Sequence, residues 1–346
     1  MKKIYYITAV FATLFLVGCG DGIDLPGVNV ETDLNKIPLP DNNVNLEQVE
    51  LKPSTEPMLH EGLHTEEDFQ RIRDKKAAGE EPWVSAYQLL VESQFSQKTA
   101  DTYPTEWIKR GVSGDENYMN AARGATIAYQ QALRWKIEQD DEYAAKAVEN
   151  LNKWVQTCVG VTGNTNLSLA AGLYGYEFAI AGELLRDYEG WDRADFAAFQ
   201  NWLLKVFYPA NDDFLKRHHD TNALHYWANW CLCNIAAKMA IGIVTDRRDI
   251  YNEGIAHLQT GDTNGRLRRA IYHDYAPDYN FAQWQESGRD QGHTLMCVGL
   301  MGVICQLAWS QGDDFFAYDD NLFMRACEYA ACCNYTNETV PYTTYI

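Results

Sequence analysis

Three polar blocks interrupt an otherwise apolar, helix-patterned chain. The first runs from Lys216 through Arg217, His218, His219, Asp220 and Asn222 to His225, Tyr226, Trp227 and Asn229. The second is "GRLRRAIYHDY" (265–275), and the third is "WQESGRDQGH" (284–293). Asn222, His225 and Asn229 fall at spacings of three and four, as do Glu286, Arg289, Asp290 and His293, so each set shares one helix face. Amide, imidazole and guanidinium donors are the groups that quench a carboxylate, and a tyrosine beside an arginine can serve as a base of high pKa. Together they suit the removal of a proton next to a sugar-acid carboxylate, because the carbanion forms only where that carboxylate is neutralised. The adjacent His218 and His219 find no third ligand at a convincing spacing, and no cysteine pair has zinc-site spacing, so no metal is assigned.

The global charge makes this local chemistry notable. The 346-residue chain carries a formal charge of -19, which excludes nucleic acid as a partner. Six of its eight histidines lie between residues 218 and 293, together with Arg217, Arg266, Arg268, Arg269 and Arg289. An anionic ligand would be met there by a local cluster working against the overall field.

Before any structural element comes "MKKIYYITAVFATLFLVGC", two lysines and an apolar run ending at Cys19. It has the form of a bacterial lipoprotein signal, residues 1–19, with Cys19 as the lipidated first residue of the mature chain. The expected location is lipid-anchored, in the periplasm, the outer membrane or at the cell surface. The membrane is then a partner only through the anchor. Residues 20–58, rich in Pro, Asn, Asp and Gly, predict an extended tether. The eight cysteines beyond Cys19 sit in apolar helical surroundings, which predicts buried free thiols, with disulfides possible in an exported protein.

Residues 59–346 predict one all-α domain. Segments such as "NYMNAARGATIAYQQALRWKIEQ", "LAAGLYGYEFAIAGELLRDY" and "GHTLMCVGLMGVICQLAWSQG" repeat apolar residues at three and four. Short polar turns such as Gln139-Asp140-Asp141 join them, and Thr65 followed by acids is a capping signature. Successive antiparallel pairs over this length predict an (α/α) toroid, or barrel, in preference to a solenoid of fixed period. The loop-like end "NETVPYTTYI" leaves the last pair incomplete, as if the closing seam were unfinished.

"HYWANWCLCNIAAKMAIGI", "QWQESGRDQGHT" and "QLAWSQGDDFFAYDDNLFMRACEYAACCNY" resemble the alginate lyase family of polysaccharide lyases, over about residues 60 to 346. The resemblance implies a toroid and β-elimination on a uronate polymer, alginate or glucuronan, without a cofactor. Carried over by residue, it implies Tyr272, in "YHDYA", as base and acid, His225 and Asn222 as carboxylate neutralisers, and Arg266 as the partner of the phenolate. The family's adjacent Asn-His pair is absent here, since Leu224 precedes His225, and Arg268 or Arg269 could stand for Arg266. Arg289 and His293 are candidate substrate contacts with Glu286, and Trp227 and Trp284 candidate stacking platforms for sugar rings. A monomer acting on an anionic polysaccharide is expected. Two other classes stay open. A toroidal glycoside hydrolase would need a carboxylate pair drawn from Glu286, Asp290 and Asp220. A non-catalytic glycan-binding surface lipoprotein would need only the aromatics.

Overall fold

A computed structural model describes residues 49–336 and 339–345. The lipobox Cys19 and most of the expected tether lie outside the described residues. The main helices are α1 (Glu66–Ala77), α2 (Trp83–Glu92), α3 (Tyr118–Glu138), α4 (Asp141–Thr157), α5 (Leu167–Leu184), α6 (Arg193–Val206), α7 (Tyr208–Arg217), α8 (Ala228–Val244), α9 (Arg248–Thr260), the short α10 (Leu267–Ala270), α11 (Gln291–Ser310) and α12 (Tyr318–Tyr335). Two small sheets complete the described residues. β1 (Trp107–Arg110) pairs in parallel with β2 (Gly160–Gly163), and β3 (Ile271–Asp274) pairs antiparallel with β4 (Ala282–Trp284).

Local chemistry sets the helix ends. At α1, Thr65 Oγ1 accepts from the Asp68 amide at 3.2 Å and Asp68 Oδ2 accepts from the Thr65 amide at 3.0 Å, a reciprocal capping box. α3 stops where Gln139 turns left-handed, and Asp140 at once caps α4 by accepting from the Glu142 amide. α6 and α7 join through Phe207, with Pro209 in the first turn of α7, so they form one bent outer helix.

Helices α3, α5, α8 and α11 make an inner layer in which each packs on the next. α5, α8 and α11 are apolar almost all round, as a helix covered on every side must be. α11 is also the one described helix long and apolar enough to cross a membrane, but most of it is buried in the protein core. α4, α6–α7, α9 and α12 form the outer layer. Close approach of α5 and α8 requires Gly172, where a Cβ would lie 2.5 Å from Cys233 Sγ. This is the all-helical paired architecture expected from the sequence. All eight described cysteines are free thiols.

Two differences have clear physical causes. The expected tether does not run to residue 58, because from Val49 onward the chain is fastened along α9. Gln259 exchanges two hydrogen bonds with the Val49 backbone, Asn252 donates to the Lys52 carbonyl, and Arg248 donates to the carbonyls of Glu56 and Pro57. Polar side chains on α9 thus satisfy a backbone whose own sequence has no regular period. The break at residues 271–286 is a hairpin with a register irregularity between Ile271 and His273, and it carries Tyr272 on a strand.

Candidate active site

Because inner and outer helices alternate in direction, α3, α5, α8 and α11 all begin at the same end of the toroid. The N-termini of α3, α5 and α8 lack a side-chain cap from their own N-cap residue. Their amide ends therefore project positive potential into one rim. Loops from several elements meet there. Ser168 Oγ, in the first turn of α5, lies 2.9 Å from His219 Nε2 on the loop before α8. The Ala228 amide, first in α8, donates to Gln285 Oε1 at 2.9 Å on the loop before α11. Asn264 donates to the carbonyls of Leu224 and Tyr226 at 3.1 and 2.8 Å.

The turn entering α8 is strained. His218, His219 and Asp220 have φ of 52°, 53° and 58°, three successive non-glycine residues in the left-handed region, each costing on the order of 1 kcal/mol. Buried His218 anchors it, with Nδ1 2.9 Å from the Phe214 carbonyl and its ring 4.6 Å from that of Phe214. Burial, the largest influence, pushes the His218 imidazole below its ordinary pKa. Asn222 follows, its Oδ1 accepting from the Leu224 amide at 2.8 Å, and then His225, edge-on to Tyr226 with ring centroids 4.8 Å apart. Asn222 and His225 are both exposed to solvent at this rim.

Tyr272 is half-buried on β3. Its oxygen accepts from Gln283 Nε2 at 3.0 Å and its proton is donated to the Thr343 carbonyl. Burial first, and then the phenols of Tyr275, Tyr342 and Tyr345, push its pKa up to about 12. The Tyr345 ring meets Tyr272 edge-on at 5.0 Å and lies 5.7 Å from Trp227, and Gln285 Nε2 donates to the Tyr345 hydroxyl at 2.6 Å. Arg289 lies over the other partner in this chain of rings, its guanidinium carbon 4.7 Å from the Trp227 centroid. The Tyr345 ring thus links Tyr272 to Trp227, which Arg289 covers, and His225 stands two residues from Trp227 in the chain.

Other expected site residues have different places. Trp284 is 1% exposed, donates Nε1 to the Ala326 carbonyl at 3.0 Å and packs edge-on against Phe323. It is a core residue, because strand alternation turns it away from the flanking glutamines. Glu286 is also 1% exposed and is paired with Arg289, so it orients the guanidinium and does not meet a sugar. His293 is part of the N-terminal cap of α11, its Nδ1 2.6 Å from Asp290 Oδ2. Among the described residues, no arginine hydrogen-bonds to the Tyr272 phenol. Arg266 opens α10 with no hydrogen bond from its guanidinium among the described residues, and its field falls on Tyr318. Arg268 pairs with Asp319. Gln283 takes the place expected of an arginine.

Gln283 and Gln285 are the rim residues that the sequence reading passed over, and His219, weighed there only as half of a metal pair, joins them at the rim. "AQWQ" does carry a signal for the glutamines, since they flank an inward tryptophan at strand period two. A separate cavity of about 650 Å³ lies against the first turns of α3, lined by Tyr103, Met119, Asn120 and Arg123 among others.

These features define an all-α toroid with one cationic, aromatic rim. The alginate lyase family profile matches residues 72–338, and the chain belongs to that family. Among solved structures, alginate lyase A1-III with a histidine-to-alanine substitution, complexed with tetrasaccharide, superposes with a TM-score of 0.60 at 14% identity, covering 81% of this chain and 82% of that one. The A1-III enzyme from Sphingomonas species A1 gives 0.55 at 13% identity, covering 80% of each chain. An alginate lyase from Bacteroides ovatus gives 0.55 at 13% identity, covering 78% of this chain and 82% of that one. Comparison with curated protein sequences finds no match. The protein is a polysaccharide lyase.

Proposed function

We propose that this lyase cleaves a mannuronate- or glucuronate-type polymer, alginate foremost, with Tyr272 as both base and acid. The observation that carries this reading is the run of contacts from Tyr272 through Tyr345 to Trp227 and Arg289 at the helix-N-terminal rim. Trp227 offers a face for a pyranose ring, Arg289 and the helix ends offer positive charge to a carboxylate, and the exposed His225 and Asn222 offer N–H donors. With that charge quenched, the Tyr272 phenolate takes the C5 proton, and the C5–H electron pair becomes the C4–C5 double bond. The C4–O bond then breaks, and the departing glycosidic oxygen takes the proton back from Tyr272. One residue suffices when the C5 proton and C4 oxygen leave from the same side of the ring, as in mannuronate and glucuronate.

The reading draws on a tyrosine and a histidine, the residue types substituted in two solved forms of a relative. Alginate lyase A1-III is complexed with tetrasaccharide in a tyrosine-to-phenylalanine form as well as in the histidine-to-alanine form. The chemistry needs no cofactor. We further propose a lipid anchor through Cys19, carried by the sequence of residues 1–19 alone, on a chain that acts as a monomer.

The test is to incubate the protein and its Tyr272→Phe variant with polymannuronate, polyguluronate and glucuronan, and to follow the ultraviolet absorbance of unsaturated ends. The native chain is expected to form them on polymannuronate or glucuronan, and the folded variant to form none. Retention of most activity in Tyr272→Phe would remove Tyr272 from this role.

A further inference from the structure

Residues 339–345, "TVPYTTY", lie across the open side of Tyr272 and use the groups that a sugar acid would need. The Thr343 carbonyl accepts from Tyr272 and, at 2.9 Å, from Gln283 Nε2, while the Thr343 amide donates to Gln283 Oε1 at 2.9 Å. Tyr275 reaches Thr343 Oγ1 at 3.1 Å. Tyr345 fills the space between Tyr272 and Trp227 and takes the amide of Gln285. Upstream, Val340 packs on the Phe281, Tyr329 and Cys332 cluster, and Tyr329 donates to the Pro341 carbonyl at 2.9 Å.

We propose that residues 342–345 are an internal competitor for the sugar-binding rim, which a uronate chain must lift away before Tyr272 can act. This rests on the reading of Tyr272 as the base. The segment is rooted at Val340 and Pro341 on the Phe281 and Tyr329 cluster, and beyond that root it is held by side chains of the rim itself. Thr343 holds the Tyr272 proton in a hydrogen bond to a neutral acceptor, which favours the phenol over the phenolate. Residues 339–345 carry no charge, so the segment gains nothing from Arg289 or from the helix ends. A polyanion does gain from them, and that difference in binding is what moves the equilibrium toward the open state. A site occupied by its own chain binds substrate with an affinity reduced by the open fraction.

The experiment uses the full chain. Tyr345→Ala removes two ring contacts and one hydrogen bond from the closed state only. Initial rates of unsaturated-end formation on polymannuronate should then show an apparent KM about tenfold lower with kcat unchanged, as expected for a weakened competitor. In parallel, hydrogen exchange is followed at the Thr343 amide in the full-length Tyr272→Phe variant, where the bond to Gln283 remains. Adding polymannuronate should speed that exchange at least about tenfold. A raised KM in Tyr345→Ala, or greater protection of Thr343 when polymer binds, would show the segment to be part of the substrate site and overturn the proposal. If no form of the protein makes unsaturated ends while Thr343 is still released by the polymer, the competitor stands and the catalytic reading of Tyr272 fails.

Discussion

Gln283 grips two phenols at once, donating from Nε2 to Tyr272 at 3.0 Å and accepting on Oε1 from Tyr275 at 2.5 Å. This amide is the donor within reach of the Tyr272 oxygen that can stabilise a phenolate, and burial has pushed the phenol up to about 12. In the proposed role of base, a phenol with so high a pKa is protonated through the neutral range, so kcat/KM on polymannuronate should rise with pH, up to about tenfold per unit below that value. Gln283→Leu should displace this limb to higher pH and lower the rate at pH 8 by about tenfold or more. An unchanged pH–rate profile in that variant would remove Gln283 from the positioning of Tyr272.

Arg289 depends on both its stacking and its pairing. Its guanidinium covers Trp227 and is held by the buried carboxylate of Glu286. Arg289→Lys retains the charge but loses the planar face, and KM for polymannuronate should rise about three- to tenfold. Arg289→Ala also leaves Glu286 buried without its partner, so it should lower the melting temperature as well. Equal melting temperatures for the two variants would contradict that second role.

The hairpin bearing Tyr272 is fixed to α12 by an ion pair. Arg325, 1% exposed, forks onto both oxygens of Asp274, with Nη2 to Oδ2 at 3.0 Å. Burial alone would raise the Asp274 pKa, but the Arg325 fork and the Ala276 amide outweigh it and bring the carboxyl below its ordinary value. The stability from this pair is therefore fully present above the ordinary aspartate range and is lost as pH falls through the lowered value. Arg325→Met should cost about 3 kcal/mol at pH 7, read by urea denaturation, and less at pH 3. A loss of equal size at both pH values would mean that the pair is not its source.

Glu177 has no hydrogen-bond or ion-pair partner among the described residues, and burial pushes its carboxyl up to about 8. A folded-state pKa above the unfolded one means the fold binds the proton more tightly, so stability falls as pH rises from about 4.5 to 8. Glu177→Gln should therefore raise stability on the order of 2 kcal/mol at pH 8 and leave it unchanged at pH 4. Thermal melting of both proteins at both pH values measures this, and destabilisation at pH 8 would point to an interaction made by the ionised carboxylate.

What the sequence determined alone is what short-range physics controls. The apolar spacing of α5, α8 and α11, the capping box at Thr65 and the turn at Gln139–Asp141 depend on neighbours within a few residues, so the helices and their pairing were legible. The three polar blocks were legible too, because ionisable residues stand out against an apolar pattern, whereas the roles proposed for Tyr272 and His225 come from the family resemblance. Tertiary structure decided the rest. Trp284 and Glu286 look like groove residues in one dimension, yet the hairpin turns one into the core against Ala326 and buries the other under Arg289. The family resemblance implies Arg266, or Arg268 or Arg269, as the partner of Tyr272, but the direction of a side chain at a one-turn helix is set by packing and not by its place in the chain. The placement of Thr343 and Tyr345 over a strand some seventy residues earlier depends on contacts that no local pattern encodes. Loop closure over such lengths has so small an additional entropy cost per residue that the packing of distant surfaces decides where the chain returns.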